Sequence, residues 1–279
     1  MSEHEEPRIK RILVALDGSG HSLAALEAAT ELASSLQAEL RGLFVEDINL
    51  LRVAALPMAR ELQFPFARYA RMSPATMRRQ LRAQAHQAHR ALSSICEGRQ
   101  IEWTFQIEQG IVLSALLEEA ERADLLCVGR AGRPVTHRPG IGSTARAAAM
   151  RAQRPVLLIS QGTQIRPPAV ILYDGSSDAD RALSLACQIA RLAGGILSVL
   201  VAVDRSTSSE ALQAPLIDRL KSERLVIRYR ELAASDVASL IEVIETEGCG
   251  ILVVSRTFLH GDEIAELLEG VQCPTLLMH

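Results

Sequence analysis

Residues 13–47, LVALDGSGHSLAALEAATELASSLQAELRGLFVED, align without a gap on residues 170–204, VILYDGSSDADRALSLACQIARLAGGILSVLVAVD. Asp17-Gly18-Ser19 falls on Asp174-Gly175-Ser176, and the closing Asp47 falls on Asp204. Two further matches follow in the same order: ADLLCVGR (123–130) with CGILVVSR (249–256), and RPVLLIS (154–160) with CPTLLMH (273–279). A repeat of this length means that one fold is written twice, so each structural expectation must serve both copies. The copies are expected to form domains of residues 1–162 and 167–279. QGTQIRPP (161–168), with its glycine and paired prolines, reads as the joint.

Within a copy the apolar pattern alternates between two periods. RILVAL (11–16) is a continuous apolar run, suited to a strand buried on both faces. DGSGHS then supplies turn and cap residues, and LAALEAATELASSL has helical spacing. ELRGLFV (39–45) returns as a strand, and an irregular stretch precedes a long helix over 76–97. IEWTFQIEQ reads as a strand, VLSALLEEAERA as a helix, DLLCVG as a strand, STARAAAMRA as a helix and PVLLIS as the last strand. Strands alternating with helices predict an α/β fold, a doubly wound parallel sheet with right-handed crossovers in each copy.

Composition limits the function. At 279 residues and 48% apolar content the chain buries a large core. A net charge of −3 with 3% aromatic residues argues against nucleic acid as a partner, which would call for a basic face and stacking platforms. The opening MSEHEEPRIK is polar, and no run of eighteen apolar residues occurs, so no membrane span and a cytoplasmic location are expected. Cys96, Cys127, Cys187, Cys249 and Cys273 show no CxxC spacing, which predicts neither disulfides nor a zinc site.

The chemistry concentrates in VGRAGRPVTHRPGIGSTARAAAM (128–150). Gly129, Gly132, Gly142 and Ser143 give G-x2-G-x9-G-S between a strand and a helix. Glycines at a strand end let the backbone approach a ligand closely. Gly142-Ser143-Thr144 at a helix start offers free N–H groups, hydroxyls and the positive end of the helix dipole, which suits a phosphate. Arg130, Arg133, Arg138 and His137 would add positive charge. No G-K-[ST] follows the glycines, and the spacing is not G-x-G-x-x-G, so neither a P-loop nor a dinucleotide fingerprint is present.

With the DGS after the first strand, this pattern resembles the nucleotide-binding motif of the universal stress protein family, and the whole chain resembles a tandem member of it. The resemblance implies a cytoplasmic stress-response protein built from two five-stranded sheets. Each would have strand order 3-2-1-4-5, the adenine nucleotide alpha-hydrolase-like arrangement, and the two would pack as an internal pseudo-dimer. It further implies an adenine nucleotide at the switch point between strands 1 and 4. Ala15, Leu16, Asp17 and Val45 would surround the adenine. Val128, Gly129, Arg130 and Gly132 would flank the ribose and phosphates, and Gly142, Ser143 and Thr144 would hold the phosphate tail. Family members often have proline where Ala15 stands and a small apolar residue where Thr144 stands.

The second copy departs from this pattern. Arg130 to Pro155 spans 25 positions and Arg256 to Pro274 only 18, so seven residues are gone, and the glycine pair and G-S with them. Asp262, Glu263, Glu266 and Glu269 occupy the region and would repel phosphate. Nucleotide is therefore expected in the first domain only. Both last strands, PVLLIS and PTLLMH, are apolar, and pairing with each other would remove two sticking edges.

Other features have plainer readings. Asp17 also suits an Asx turn capping the first helix, because Asp174 persists in the copy that lost its loop. His86 and His89 have no carboxylate or cysteine near them in sequence, so no metal is expected there. Residues 51–90 carry eight arginines against Glu61 alone; a solvated face is the default reading, and contact with a protein partner is the sharper one.

The functional expectation is ATP binding by a regulatory or protective module, with Mg2+ accompanying the ATP, or ADP or AMP in its place. Two readings stay open beside it: a slow ATPase or phosphoryl- or adenylyl-transfer enzyme, with no catalytic residue assigned, and an interaction scaffold with a vestigial site. Intact ATP recovered from the protein separates the first from the second, and absence of nucleotide favours the third.

Overall fold

Alternate residues of an apolar run must bury into opposite layers, and the first strand does this in both halves. The computed structural model describes residues 9–63, 68–131, 140–202, 209–232, 236–259 and 261–279. In β1 (Arg11–Ala15), Ile12 and Val14 enter one core layer and Leu13 the other. In β8 (Ala169–Tyr173), Ile171 enters the first layer, while Val170 and Leu172 enter the second. Both faces of the sheet are thus apolar and need helices over them.

The first half continues with α1 (Gly20–Leu36), β2 (Glu39–Asp47), α2 (Ile48–Ala54), β3 (Arg60–Gln63), β4 (Arg68–Arg71), α3 (Pro74–Cys96), β5 (Trp103–Gly110), α4 (Val112–Ala120), β6 (Leu125–Gly129), α5 (Ser143–Arg151) and β7 (Val156–Ile159). The second half adds α6 (Ser177–Leu192), β9 (Ile196–Ala202), α7 (Ser209–Leu220), β10 (Val226–Leu232), α8 (Val237–Thr246), β11 (Ile251–Ser255), α9 (Gly261–Gly270) and β12 (Thr275–Met278). Buried residues of α1, α3 and α6 fill one layer, and those of α4, α5, α8 and α9 fill the other.

The strands form one ten-stranded sheet in the order β10-β9-β8-β11-β12-β7-β6-β1-β2-β5. Each half therefore has the order 3-2-1-4-5, all parallel within the half. The halves meet where β7 and β12 pair antiparallel, with Leu158 opposite Thr275, Leu157 opposite Leu276 and Val156 opposite Leu277. The two sheets are thus continuous, and both core layers run through the junction. Because that pairing is antiparallel, the amino ends of the strands in one half lie on the same side as the carboxyl ends in the other. Across the junction Arg146 on α5 also pairs with Glu269 on α9 at 3.2 Å.

The DGS turn repeats in atomic detail. Asp17 Oδ1 accepts from Ser19 N at 2.8 Å, and Asp174 Oδ1 accepts from Ser176 N at 2.9 Å. Ser19 and Ser176 then cap α1 and α6. Gly18 and Gly175 between them take φ of 74° and 79°, the left-handed region that favours glycine. The stretch read as irregular contains an antiparallel hairpin, β3 with β4, whose four-residue strands are too short for periodicity to register. No helix among the described residues is long and apolar enough to cross a membrane.

Candidate functional site

β1 and β6 are neighbours, with Val14 opposite Cys127, and they send the chain to opposite faces of the sheet. The helix after β1, α1, lies in one layer, and the helix after β6, α5, lies in the other. A crevice must open between their carboxyl ends, the usual ligand site of an open α/β sheet.

A cleft of about 410 Å³ occupies that place, within the size range of small-molecule sites. Ala15, Leu16 and Asp17 line it from β1 and the turn beyond, and Leu43, Phe44, Val45 and Asp47 from β2. Leu50, Leu81 and Gln84 close it from α2 and α3, Val112 and Leu116 from α4. Val128, Gly129 and Ala131 form the β6 wall, and Gly142, Ser143, Thr144 and Ala145 the helix wall. Most of this lining is aliphatic or aromatic, a surface for the flat faces of a base.

The polar end is the start of α5. Gly142 is its N-cap and makes no side-chain cap bond, and the first helical bond runs from Arg146 N to Gly142 O at 2.9 Å. The N–H groups of Ser143, Thr144 and Ala145 therefore have no acceptor within the helix. Together with the Ser143 and Thr144 hydroxyls and the helix dipole they make an anion-binding end. The carboxylates on the cleft wall are Asp17 and Asp47, and each has one oxygen bonded to a backbone N–H, of Ser19 and Asn49 respectively. They are hard oxygen donors of the kind Mg2+ takes one or two at a time alongside phosphates. Among the described residues no group of three His, Cys, Asp or Glu could hold a metal ion unaided.

The glycines have separate jobs. A methyl group on Gly129 would stand 2.6 Å from His21 C and 2.7 Å from Ser22 N, so this glycine lets the start of α1 pack against the end of β6. Gly142 takes an extended φ of −65°, which needs no glycine. Gly132, Arg133, His137 and Arg138 lie outside the described residues.

The side chain of Arg130 departs from expectation. It is 6% exposed and does not line the cleft. Burial pushes its pKa down, while the neighbouring Cys273 and Glu269, both from the second half, push it back up. The guanidinium thus turns towards the junction, and Nη1 is buried with no hydrogen-bond partner among the described residues. Its backbone stays with the cleft: Arg130 N donates to Ile159 O at 2.7 Å, and Arg130 O accepts from Gly142 N at 2.8 Å. The remaining residues expected from the sequence, Ala15, Leu16, Asp17, Val45, Val128, Gly129, Gly142, Ser143 and Thr144, are brought together.

Sequence reasoning missed the cleft's far wall. Leu81 and Gln84 belong to the arginine-rich span 51–90 that reads as a solvated face, and Leu50 lies just before it; only the apolar positions there hinted at burial. In the second half, Ser255 stands where Gly129 stands in the first, buried and with its Oγ 2.8 Å from Thr257 Oγ1. α9 carries Asp262 and Glu263 in its first turn, so its positive end is already neutralised.

The model of the Universal stress protein family matches residues 8–160, more than half of the chain. The chain belongs to the universal stress protein family. Among solved structures, a universal stress protein from Archaeoglobus fulgidus is similar at a TM-score of 0.74, with 14% identity over 98% of each chain. A universal stress protein from Pseudomonas aeruginosa is similar at 0.61, with 15% identity over 98% of this chain and 94% of its own. UspA from Lactobacillus plantarum is 24% identical over 55% of this chain and 98% of its own, at a TM-score of 0.42. At identities this low the first two show the fold alone, and they show it across both halves. A search of curated proteins returned no match.

Proposed function

We propose that this universal stress protein binds ATP in the cleft of its first half and acts in the cytoplasm as a regulatory or protective module of the stress response. One observation carries the reading: an aliphatic cleft at the switch point ends on the uncapped N-terminus of α5, which carries Gly142, Ser143 and Thr144. The base sits among Ala15, Leu16, Phe44 and Val45, and the phosphates face the N–H groups of Ser143 and Thr144. Asp17 and Asp47 would hold the Mg2+ that accompanies the phosphates, and the metal would neutralise part of their charge. The boundaries that follow are a nucleotide-binding domain of residues 1–162 and a degenerate partner of residues 167–279, which pairs with it through the last strands and holds no nucleotide.

The test is to purify the protein without added ligand, denature it and identify the released nucleotide by chromatography, beside the double variant Gly142→Val, Ser143→Ala. ATP near one per chain, lost in the variant, is the expected result. If nothing is released and millimolar ATP with magnesium gives no thermal shift, the proposal fails.

A further inference from the structure

Two cysteines 24 positions apart in sequence meet in space. Cys249 lies just before β11 and Cys273 just before β12, and these strands are parallel neighbours with Leu252 opposite Thr275. The register therefore brings the two side chains together at the amino ends of the strands, with their Sγ atoms 3.2 Å apart. A disulfide needs about 2.05 Å, so the sulfurs have little further to travel. Both residues are half-buried, whereas Cys96, Cys127 and Cys187 are buried.

The pair lies in the wall of a second cavity, of about 360 Å³, roofed by residues of the joint, Gly162 and Thr163 among them. Cys249 and Cys273 have no counterparts in the first copy, where Ala123 and Arg154 stand. The two thiols are not equivalent. The hydrogen bond shared with Cys249 and the charge of Arg130 hold the Cys273 thiol below its ordinary range. That same hydrogen bond, burial and the charge of Glu247 push Cys249 up. Arg166 and Glu245 are the charged residues of the cavity wall. The antiparallel junction makes this asymmetry possible, because it sets the amino end of β12 on the same side of the sheet as the residue that follows β6, with only β7 between them. The guanidinium of Arg130, buried and with Nη1 lacking a hydrogen-bond partner among the described residues, is near enough to Cys273 for its charge to act on that thiol.

We propose that Cys249 and Cys273 are an oxidisable dithiol, in which hydrogen peroxide is reduced at Cys273 and the pair closes to a disulfide. The Cys273 thiolate attacks the distal peroxide oxygen, the O–O bond breaks, and hydroxide leaves and takes a proton to become water. Cys273 is then a sulfenic acid. Cys249 sulfur attacks it, the S–S bond forms, and the departing hydroxide takes the Cys249 proton to give a second water. Two electrons pass from the two thiols to one peroxide. Cys273 is the attacking residue, Cys249 the resolving one, and Arg130 a positioning residue that favours the thiolate.

The experiment treats the reduced full-length protein with equimolar peroxide, blocks remaining thiols with N-ethylmaleimide and maps unreduced peptides by mass spectrometry. The expected product is one linked pair, Cys249 with Cys273, with Cys96, Cys127 and Cys187 labelled only after unfolding. In Cys249→Ser, Cys273 should stop at a sulfenic acid that dimedone traps; in Cys273→Ser, Cys249 should survive. Arg130→Gln should slow peroxide consumption about tenfold and raise the pH midpoint of Cys273 alkylation, with Arg130→Lys restoring both. Survival of both thiols at excess peroxide, oxidation of Cys249 first, or linkage of either to a buried cysteine overturns the proposal.

Discussion

The backbone N–H of Gly142 donates to the carbonyl oxygen of Arg130 at 2.8 Å, so the chain leaves β6 and enters α5 at one pinned point. The second half passes from β11 through α9 to β12 with seven fewer residues than the first takes from β6 to β7, so the sheet does not depend on the length of this connection. Deleting residues 132–138 should therefore shift the melting temperature by no more than about 3 °C, since loop length enters stability only logarithmically. The same deletion should remove ATP binding measured by calorimetry. Loss of cooperative unfolding in the deletion would show that the loop is part of the core.

Gly129 answers to packing as well as to ligand. A methyl group there meets the backbone of His21 and Ser22, which cannot move without shifting α1. Gly129→Ala should cost about 1–3 kcal/mol in urea unfolding, the range for overpacked sites. Gly140, where an added methyl meets nothing within 4 Å, is the control. Gly140→Ala should stay within about 0.5 kcal/mol of the parent. Equal costs at the two positions would remove the packing argument.

These two glycines show how far the sequence could be read. The alternation of strands and helices and the two-copy plan follow from apolar periods and from a repeat that had to satisfy both copies, while strand order, the switch point and most of the near wall come from the family resemblance carried by the glycine loop and the DGS turn. The far wall does not, because Leu81 and Gln84 sit on α3 among exposed arginines, and a helix pattern says which face is apolar without saying what it covers. Arg130 misled for a related reason: a charge beside a glycine loop suggests a phosphate, and only the antiparallel junction turns it towards Cys273. The cysteine pair was illegible because its spacing reflects strand register, which no local motif encodes.

The junction rests on apolar pairs that face each other across β7 and β12. Leu157 and Leu276 are opposite in register, fully buried and in the same core layer. Leu157→Ala and Leu276→Ala should each cost about 2–5 kcal/mol. Because the two share one space, the double variant should cost less than the sum by about 0.5–3 kcal/mol. Additive losses in chemical denaturation would mean that the halves do not couple through this pair.

Acid should loosen the other end of the junction through His279. Its ring lies against the Arg256 guanidinium, and its Nε2 is buried with no hydrogen-bond partner among the described residues. Burial, then the Arg256 charge, push its pKa down to about 4 from an ordinary 6.5. The folded protein therefore resists a proton that the unfolded chain accepts, and between those two values unfolding takes up protons. The stabilisation is complete above about pH 6.5 and is lost as pH falls towards 4. Carboxylates held low, such as the Asp236 cap of α8, lose theirs only below that window. Melting temperatures measured from pH 7 to pH 4 should fall more steeply in the parent than in His279→Gln, whose side chain takes no proton. Parallel curves for the two proteins would place the acid sensitivity elsewhere.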